Sequence, residues 1–361
     1  MKPYDPELLP IKNIDWEGNI DLIVRANTDL ARYDELLKTL QNPTLFLTPL
    51  IKRESVLSSR IEGTQTTVED VLRHEADIGS VIETADMREV LNYRDAVVFA
   101  TDYLKKRPIC LNLIREVHKI LLDKVRGQDK NRGHFRKTQV WVGKEGTKLE
   151  EANFIPPAWE TVVELLDNWE KYIHYQDKDA IVQLAIIHAQ FEIIHPFLDG
   201  NGRVGRILLP LFLRQKNILS TPTFYLSEYL DKNKDAYYKN LLNISQNKDW
   251  NSWIRFFLEA VSVQSKSNID RIYSIKSLYE ATKEKLLKLN SSYSIKALDA
   301  LFQFPLFTST RFTQFSNIKQ KRTTFRLINK MEELKIIKLV EKKRGPKPAI
   351  YLFPELFELV R

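Results

Sequence analysis

The sequence predicts a mainly α protein, with a helical core, a small β-hairpin, a helical N-terminal domain and a C-terminal winged helix-turn-helix of α+β type. Two observations lead to this fold class. Only 11 of the 361 residues are glycine while leucine, isoleucine, lysine and glutamate abound, and this composition favours helix over strand. Apolar residues also recur at helical spacing through most of the chain, whereas the last 71 residues alternate short helical segments with β-forming ones.

The N-terminal domain is expected to span residues 1–86. Segment 48–63 has apolar residues at helical spacing and ends at Gly63, a residue type favoured just after a helix. Thr66 and Glu69 then have the spacing of a capping box, in which each side chain bonds a free backbone N–H of the other. A second helix is therefore expected directly after the first.

The central domain, 87–290, should contain most of the helices. Segments 87–106 and 110–125 are amphipathic at helical spacing. Segment 133–146, with alternating β-formers between glycines, predicts the hairpin. Segment 181–194 is apolar nearly all round, which predicts a central buried helix.

The third domain, 291–361, carries the whole charge surplus of the chain. It holds 14 Lys and Arg against 6 Asp and Glu, a difference equal to the net charge of +8. Three helical segments are followed by a predicted two-stranded wing whose turn contains Gly345 and Pro346. The third helix and the wing are expected to hold the basic residues Lys319, Lys321, Arg322, Arg326, Lys330, Lys342, Lys343, Arg344 and Lys347. This pattern is typical of a surface for duplex DNA, although winged helices also dock proteins or form dimers.

The composition also excludes some classes of protein. No apolar run is long enough for a transmembrane helix, and the first residues lack the apolar core of a signal peptide. The single cysteine, Cys110, excludes an intrachain disulfide and favours a reducing compartment, so a cytoplasmic location is expected.

The most informative stretch is HPFLDGNGRVGR, from His195 to Arg206. Pro196 ends the preceding helix, and Gly200 and Gly202 allow a turn with positive φ that exposes consecutive N–H groups. Arg203 and Arg206 follow in the first turns of the next helix. A helix N-terminus with two arginines is suited to a polyphosphate.

An acid and a base complete this arrangement. Asp199 would be out of place beside phosphates unless a hard cation such as Mg²⁺ lay between them. His195 is a base next to the phosphate site. Glu192 and His195 form one E-x-x-H pair, but a di-iron bundle needs a second copy, and none is found. The string of a Walker-type phosphate loop is also absent.

This stretch resembles the signature of the Fic family, enzymes that mostly transfer AMP from ATP to protein hydroxyls, and it matches at every defined position. The resemblance extends over most of residues 87–260. It implies that His195 deprotonates the attacking hydroxyl of a Tyr, Thr or Ser in a target protein. It further implies that Asp199 holds Mg²⁺ against the α- and β-phosphates, and that the nucleotide is bound by Gly200, Asn201, Gly202, Arg203 and Arg206, the last at the γ-phosphate.

Two further features follow from the same resemblance. Tyr237 and Tyr238 match a pair of tyrosines that contacts nucleotide in relatives, although they can equally be packing aromatics. The hairpin resembles the family's flap, which clamps a target by strand addition, and its flap residues are Val140, Trp141, Val142 and Gly143. A structural edge hairpin is the alternative.

A second signal lies upstream in SSRIEG, residues 58–63. Ser58 and Glu62 are four residues apart, and a carboxylate in the last turn of a helix opposes the helix dipole. The string resembles the inhibitory helix of part of the Fic family, which implies that Glu62 pairs with Arg206 and displaces the γ-phosphate. Alternatively, Glu62 is an exposed charge or pairs with Arg60 or Lys52.

The sequence thus predicts an ATP-dependent protein adenylyltransferase that is autoinhibited in cis. Two alternatives stay open. One is a DNA-binding regulator whose Fic-like domain is only a sensor, which would not need His195 and Asp199. The other is a Fic enzyme that transfers UMP or phosphocholine from another donor, or that removes AMP. The resemblance is also compatible with a homodimer.

Overall fold

The computed structural model describes residues 2–40, 42–76, 84–125, 129–143, 149–343, 345 and 348–361, with only the backbone of Thr44 and Leu149. The chain divides into two compact units. Unit 1 comprises Met1–Thr39, Leu57–Thr64 and Arg88–Lys266. Unit 2 comprises Leu40–Val56, Gln65–Met87 and Ser267–Arg361. No helix in the described ranges is both long and apolar enough to cross a membrane.

Unit 1 is helical, and three of its helices, the second, fourth and eleventh of the chain, also have residues in unit 2. Short 3₁₀ turns at Leu149–Glu151 and Trp159–Thr161 precede the sixth helix. The helices that lie wholly or partly in unit 1 are α1 (Ile20–Lys38), α2 (Pro43–Ile61), α4 (Ala85–Leu104), α5 (Leu111–Leu121), α6 (Val162–His174), α7 (Ala180–Ile194), α8 (Asn201–Gln215), α9 (Ser227–Lys232), α10 (Lys234–Asn247) and α11 (Trp250–Leu287).

Helix α7 is the centre of unit 1, which confirms the expected buried helix. Asp179 caps its start by accepting the N–H groups of Ile181 and Val182. Every residue of α7 is buried except Ala180 and Glu192. It packs along α6 and α8, so the loop between α7 and α8 is held by two rigid helices.

The N-terminal helices differ from the expectation in one detail. Helix α2 ends at Ile61, and Gly63 follows with φ +97°, as expected for the residue after a helix. The capping box of the next helix, α3 (Val68–Glu75), is formed by Thr67 and Asp70. The prediction of Thr66 and Glu69 was therefore wrong by one residue, because consecutive threonines and consecutive acids fit the same spacing.

The predicted β-hairpin at 133–146 is not a regular hairpin in its described part. Val142 forms an isolated antiparallel bridge with Phe154, and no strand is assigned within 133–143. The alternation of β-formers misled the prediction, because Arg136 turns its side chain inward to backbone carbonyls instead of extending a ladder. Residues 144–146 lie outside the described ranges.

Unit 2 contains the C-terminal elements in the predicted order of three helices and a strand pair. A short strand that the sequence did not predict, β1, pairs with β3 and gives the antiparallel order β1-β3-β2. Lys319 was expected on the third helix but precedes it, because that helix begins at Lys321. Gly345 is left-handed, whereas Arg344, Pro346 and Lys347 lie outside the described residues. The elements are α12 (Ser294–Gln303), β1 (Leu306–Thr308), α13 (Ser309–Phe315), α14 (Lys321–Glu333), β2 (Lys338–Glu341), β3 (Ile350–Leu352) and α15 (Pro354–Val360).

Candidate active site

The loop from His195 to Gly200 reverses the chain between α7 and α8 with two left-handed residues. His195 itself is left-handed, with φ 49°, and Gly200 has φ 78°. The buried amide of Asn201 accepts the N–H of Phe197 and donates to its carbonyl, both at 2.9 Å. The side chain of Asn201 therefore closes the loop, which leaves only its backbone N–H for an anion.

Gly202 has a different role from the one its sequence context predicts. Its φ is not positive, because it lies in the first turn of α8. A side chain there would collide with the carboxylate of Glu62 and the guanidinium of Arg206. The missing side chain thus makes room for an acid. The N–H groups of Asn201, Gly202 and Arg203 have no acceptor within the helix by its geometry, so this end of α8 is suited to an anion.

His195 is held in a defined orientation and protonation state. Its Nδ1 lies 3.3 Å from the carbonyl of Glu192, which can only accept, so Nδ1 carries the proton and Nε2 has the free lone pair. Burial lowers the pKa of His195 to about 4, which keeps the ring neutral at pH 7. A neutral imidazole with a free Nε2 can act as a general base.

Arg136, a residue that the sequence analysis missed, fixes the strained backbone at His195. Its guanidinium is buried and donates to the carbonyls of His195 at 2.9 Å and Pro157 at 2.6 Å. Its own N–H bonds the carbonyl of Pro196 at 2.8 Å. Nothing in the local spacing marks Arg136, because its partners Pro157 and His195 lie 21 and 59 residues downstream.

His118, also missed, joins two turns of the site. Its Nδ1 accepts the N–H of Gly133 at 2.9 Å, so its Nε2 donates to the carbonyl of Asp199 at 3.0 Å. The ring stacks on Phe197 with 3.7 Å between centroids. Burial lowers the pKa of His118 to about 4, so the ring stays neutral and serves as a fixed brace.

Arg206 is engaged by both residues of the predicted inhibitory string. Its Nε donates to Ser58 Oγ at 2.8 Å, and its Nη2 donates to Ser58 O at 2.9 Å and to Glu62 Oε1 at 2.7 Å. Burial alone would raise the pKa of Glu62, but the positive charge of Arg206 outweighs it and holds that pKa below its usual value. Glu62 is therefore an ionised partner of Arg206.

The two alternative partners of Glu62 are occupied elsewhere. Arg60 forms an ion pair with Asp231. Lys52 pairs with Glu75 at 2.6 Å and donates to the carbonyl of Gln303 at 3.1 Å. The pairing of Glu62 with Arg206, rather than with a neighbour on its own helix, is thus a specific contact.

Arg203 does not share an anion site with Arg206 in this structure. Its buried guanidinium lies 3.1 Å from Glu89 on α4 and 3.5 Å from Asp199. Glu89 also accepts the hydroxyl of Thr64 at 2.8 Å. The sequence analysis predicted Glu62 as the partner of Arg206 but did not foresee Glu89 as the partner of Arg203, because no sequence spacing links those two residues.

Asp199 lies at the mouth of the turn with a quarter of its side chain exposed. Its second partner is Lys130, at 3.2 Å. No group of three or more potential metal ligands occurs among the described residues, so the chain offers Mg²⁺ one carboxylate and no protein cage. This donor set fits a magnesium ion that takes its remaining ligands from phosphates and water.

The tyrosine pair is divided between core and surface. Tyr237 is 1% exposed, and its hydroxyl bonds His188 Nε2 at 3.0 Å. Tyr238 is 42% exposed. Only Tyr238 therefore has an accessible ring in this conformation.

The predicted flap residues form a short exposed segment. Val142 is tied to the segment of Phe154 by backbone bonds of 2.8 and 3.2 Å. Trp141 is 45% exposed, and Val140 and Gly143 flank these two residues. The segment thus presents an aromatic side chain on an irregular edge.

Comparison with known proteins agrees with this site. The Fic/DOC family N-terminal model matches residues 20–102, and the Fic/DOC family model matches residues 108–213, including the whole loop and α8 up to Leu213. Together the two matches cover slightly more than half of the chain.

The relatives and solved structures point to the same family. The protein adenylyltransferase Fic of Drosophila grimshawi is 26% identical over 43% of this chain and 29% of its own length. A probable protein adenylyltransferase of Aquifex aeolicus is 27% identical over 53% of this chain and 56% of its own length. The chain thus aligns with about half or less of these relatives.

The structural match is more extensive. A Fic family protein from Desulfovibrio desulfuricans superimposes with a TM-score of 0.62 at 19% identity, covering 97% of this chain and 98% of that one. Fic-1 from C. elegans gives a TM-score of 0.53 at 20% identity, with 72% and 75% covered. The fold of this chain is the one seen in those proteins. The chain belongs to the Fic/DOC family.

Proposed function

We propose that the protein is an adenylyltransferase that moves AMP from ATP to a Tyr, Thr or Ser hydroxyl of a target protein. The observation that carries the proposal is the placement of a neutral His195, with a free Nε2, beside the anion-binding start of α8 and Arg206. The names of the relatives support it, because the Drosophila protein is called a protein adenylyltransferase.

These residues suit an in-line transfer of AMP that forms no covalent intermediate on the enzyme. The target hydroxyl oxygen attacks the α-phosphorus, and the new O–P bond replaces the bond to the departing pyrophosphate. The hydroxyl proton passes to His195 Nε2. The first N–H groups of α8 hold phosphate oxygens, and Arg206 holds the terminal phosphate once Glu62 has withdrawn.

Asp199 is the residue that would hold Mg²⁺. Its exposed carboxylate lies next to the phosphate-binding turn, and His118 fixes its backbone. A bound Mg²⁺ would neutralise phosphate charge. Arg203 contacts both Asp199 and Glu89 and would hold the carboxylate of Asp199 in position.

We also propose that the contact of Ser58 and Glu62 with Arg206, called here the brake, keeps the enzyme inactive. The carboxylate of Glu62 satisfies the guanidinium that the terminal phosphate would otherwise bind. Ser58 adds two hydrogen bonds to the same guanidinium, so the arginine is held away from a nucleotide by three contacts. In this proposal residues 1–86 regulate, 87–290 catalyse and 291–361 form a winged-helix domain.

The donor is tested with the Glu62→Gly variant. The variant is incubated with Mg²⁺ and, in parallel, ATP, UTP or CDP-choline, and peptide mass spectrometry identifies any adduct on the chain or on added proteins. We expect AMP adducts with ATP alone. Adducts of UMP or phosphocholine would instead establish the alternative donors, and release of AMP from a modified peptide would establish removal.

DNA binding is the second candidate function, favoured by one surface of unit 2. On α14 the residues Thr324, Leu327 and Ile328 are buried, while the opposite face exposes Lys321, Arg322, Phe325, Arg326 and Asn329. Among the described residues, the cations at 321, 322 and 326 have no acidic partner, and Lys342 and Lys343 extend the charge from β2. Unpaired cations beside an exposed aromatic suit phosphates and base edges.

A gel shift with duplex DNA at several salt concentrations tests this surface. We expect binding that weakens steeply with salt and is lost in Arg322→Glu/Arg326→Glu, but not in the matched control Lys105→Glu/Lys106→Glu directly after the end of α4. Absence of binding at low salt would leave the surface for protein contacts. A homodimer and a cytoplasmic location also stay predictions. Sedimentation tests the first, and cell fractionation tests the second.

A further inference from the structure

Glu192 is an acidic residue beside the site that the proposed mechanism does not use. It follows His188 by one turn of α7 and precedes His195 by one turn, so the three side chains share a face of that helix. Its backbone carbonyl orients the ring of His195. Its carboxyl oxygen Oε1 is buried and has no hydrogen-bond partner among the described residues.

The carboxyl group lies in a gap that a glycine creates. A Cβ built on Gly205 would stand 2.5 Å from Glu192 Oε1 and 3.3 Å from His188 Cε1. Gly202, one turn earlier on α8, makes the same kind of room for Glu62. Two glycines of one helix thus admit two carboxyl groups, and Arg206 follows the second glycine directly.

The two acids near Arg206 differ in charge state. Glu62 is ionised, as its lowered pKa and its 2.7 Å bond to Arg206 indicate. Burial raises the pKa of Glu192 to about 8, with Arg206 opposing the rise and Glu62 adding to it. The other groups that face this carboxyl are His188, whose pKa burial lowers to about 3, and Tyr237 and Tyr238 on α10, whose pKa values burial raises. None of the three carries charge at pH 7.

We propose that Glu192 is a positioning residue: its carboxyl group lies in the gap at Gly205, with Oε1 lacking a hydrogen-bond partner among the described residues, and leaves the guanidinium of Arg206 free to bind the terminal phosphate of the nucleotide. An ionised Glu192 would compete with that phosphate for the positive charge of Arg206 and repel it. The inference rests on the proposed function, because it takes Arg206 as the site of that phosphate. The inference extends the proposed function by naming a residue that limits nucleotide binding at alkaline pH.

The experiment measures ATP affinity by calorimetry from pH 6.5 to 9.5 in three full-length proteins. These are Glu62→Gly, Glu62→Gly/Glu192→Gln and the control Glu62→Gly/Glu164→Gln, which changes an exposed acid of α6. Burial, the largest cause of the raised pKa of Glu192, is still present without Glu62, so we expect affinity to fall by about tenfold towards high pH in the first and third proteins, a coupling of about one pKa unit. It should stay nearly constant in the Glu192→Gln protein, since the amide keeps the shape and cannot ionise.

Two outcomes of this experiment would overturn the inference. The same alkaline fall in the Glu192→Gln protein would overturn the inference, because another group would then cause it. A pH-independent loss of affinity in that protein would also overturn it and assign Glu192 a packing role. Because binding is measured without transfer, a failure of AMP transfer in Glu62→Gly would count against the proposed function and not against this inference.

Discussion

Two arginines one turn apart on α8 each pair with a glutamate, but the two pairs are built differently. Arg203 and Glu89 are both buried, with 3% and 4% of their side chains exposed, and Thr64 donates a further hydrogen bond to the glutamate. Arg206 is equally buried, at 1%, whereas Glu62 is 31% exposed and lies just after the end of α2.

The difference separates a structural pair from a removable one. Glu89 sits within helix α4, and its withdrawal would leave the charge of Arg203 buried without a partner, which is costly. Under the proposed function, Glu62 turns into solvent and the terminal phosphate replaces it on Arg206 at little net cost, since one anion substitutes for another. We therefore propose a positioning role for Arg203 and regulated ligand binding for Arg206.

The largest expected effect tests whether activity gained by removing Glu62 comes from this site. Glu62→Gly/His195→Ala should lose about 10²–10⁴-fold in transfer rate relative to Glu62→Gly, as expected for loss of a general base. Single-turnover assays with radiolabelled ATP measure the ratio. Equal rates would show that another group takes the proton.

The second prediction separates the two glutamates by stability. Glu89→Ala should lower the free energy of unfolding by about 3–5 kcal/mol, because it leaves Arg203 buried and unpaired. Glu62→Ala should cost roughly 1–2 kcal/mol, since water can reach the vacated position. Urea unfolding followed by circular dichroism measures both, and a costlier Glu62→Ala would reverse the assignment.

The third prediction concerns the glycine that admits Glu192. Gly205→Ala should destabilise the protein by about 1–3 kcal/mol through overpacking against the carboxyl group. In the Glu192→Ala background the same change should cost much less, because the colliding group is gone. Additive effects in this double-mutant cycle would place the strain elsewhere.

The smallest expected effect is in the pH dependence. His195 is a base only while neutral, and burial lowers its pKa to about 4, so the transfer rate of Glu62→Gly should not fall through protonation of His195 until pH approaches 4. Initial rates between pH 5 and 7.5, with folding checked by circular dichroism, should change little. A midpoint near 6.5 would mean that the ring is solvated in the active enzyme.

The sequence predicted features with a strong local cause. Helix α7 follows from an apolar run, and the turn after it follows from Pro196 and Gly200. The pairing of Glu62 with Arg206 followed only from a family resemblance, because 144 residues separate the partners.

The parts that were missed depend on tertiary contacts. The left-handed conformation of His195 is maintained by Arg136, far away in sequence. The sequence analysis placed Gly202 in the turn, whereas in the structure its missing side chain leaves room for the carboxylate of Glu62. The ion pair of Arg203 with Glu89 joins residues that are 114 apart in the sequence. Such contacts between distant residues produce no periodic pattern that a single sequence could reveal.

If Glu62 blocks an otherwise complete active site, as proposed, its removal should raise the rate of AMP transfer. The most direct test is the rate of AMP adduct formation with ATP and Mg²⁺, followed by intact-mass spectrometry, in wild type, Glu62→Gly and Glu35→Gly. The last is a matched control that places glycine for an exposed glutamate of α1. We expect a rate that is higher by about tenfold or more in Glu62→Gly alone. Equal rates in all three proteins, with ATP binding retained, would contradict it.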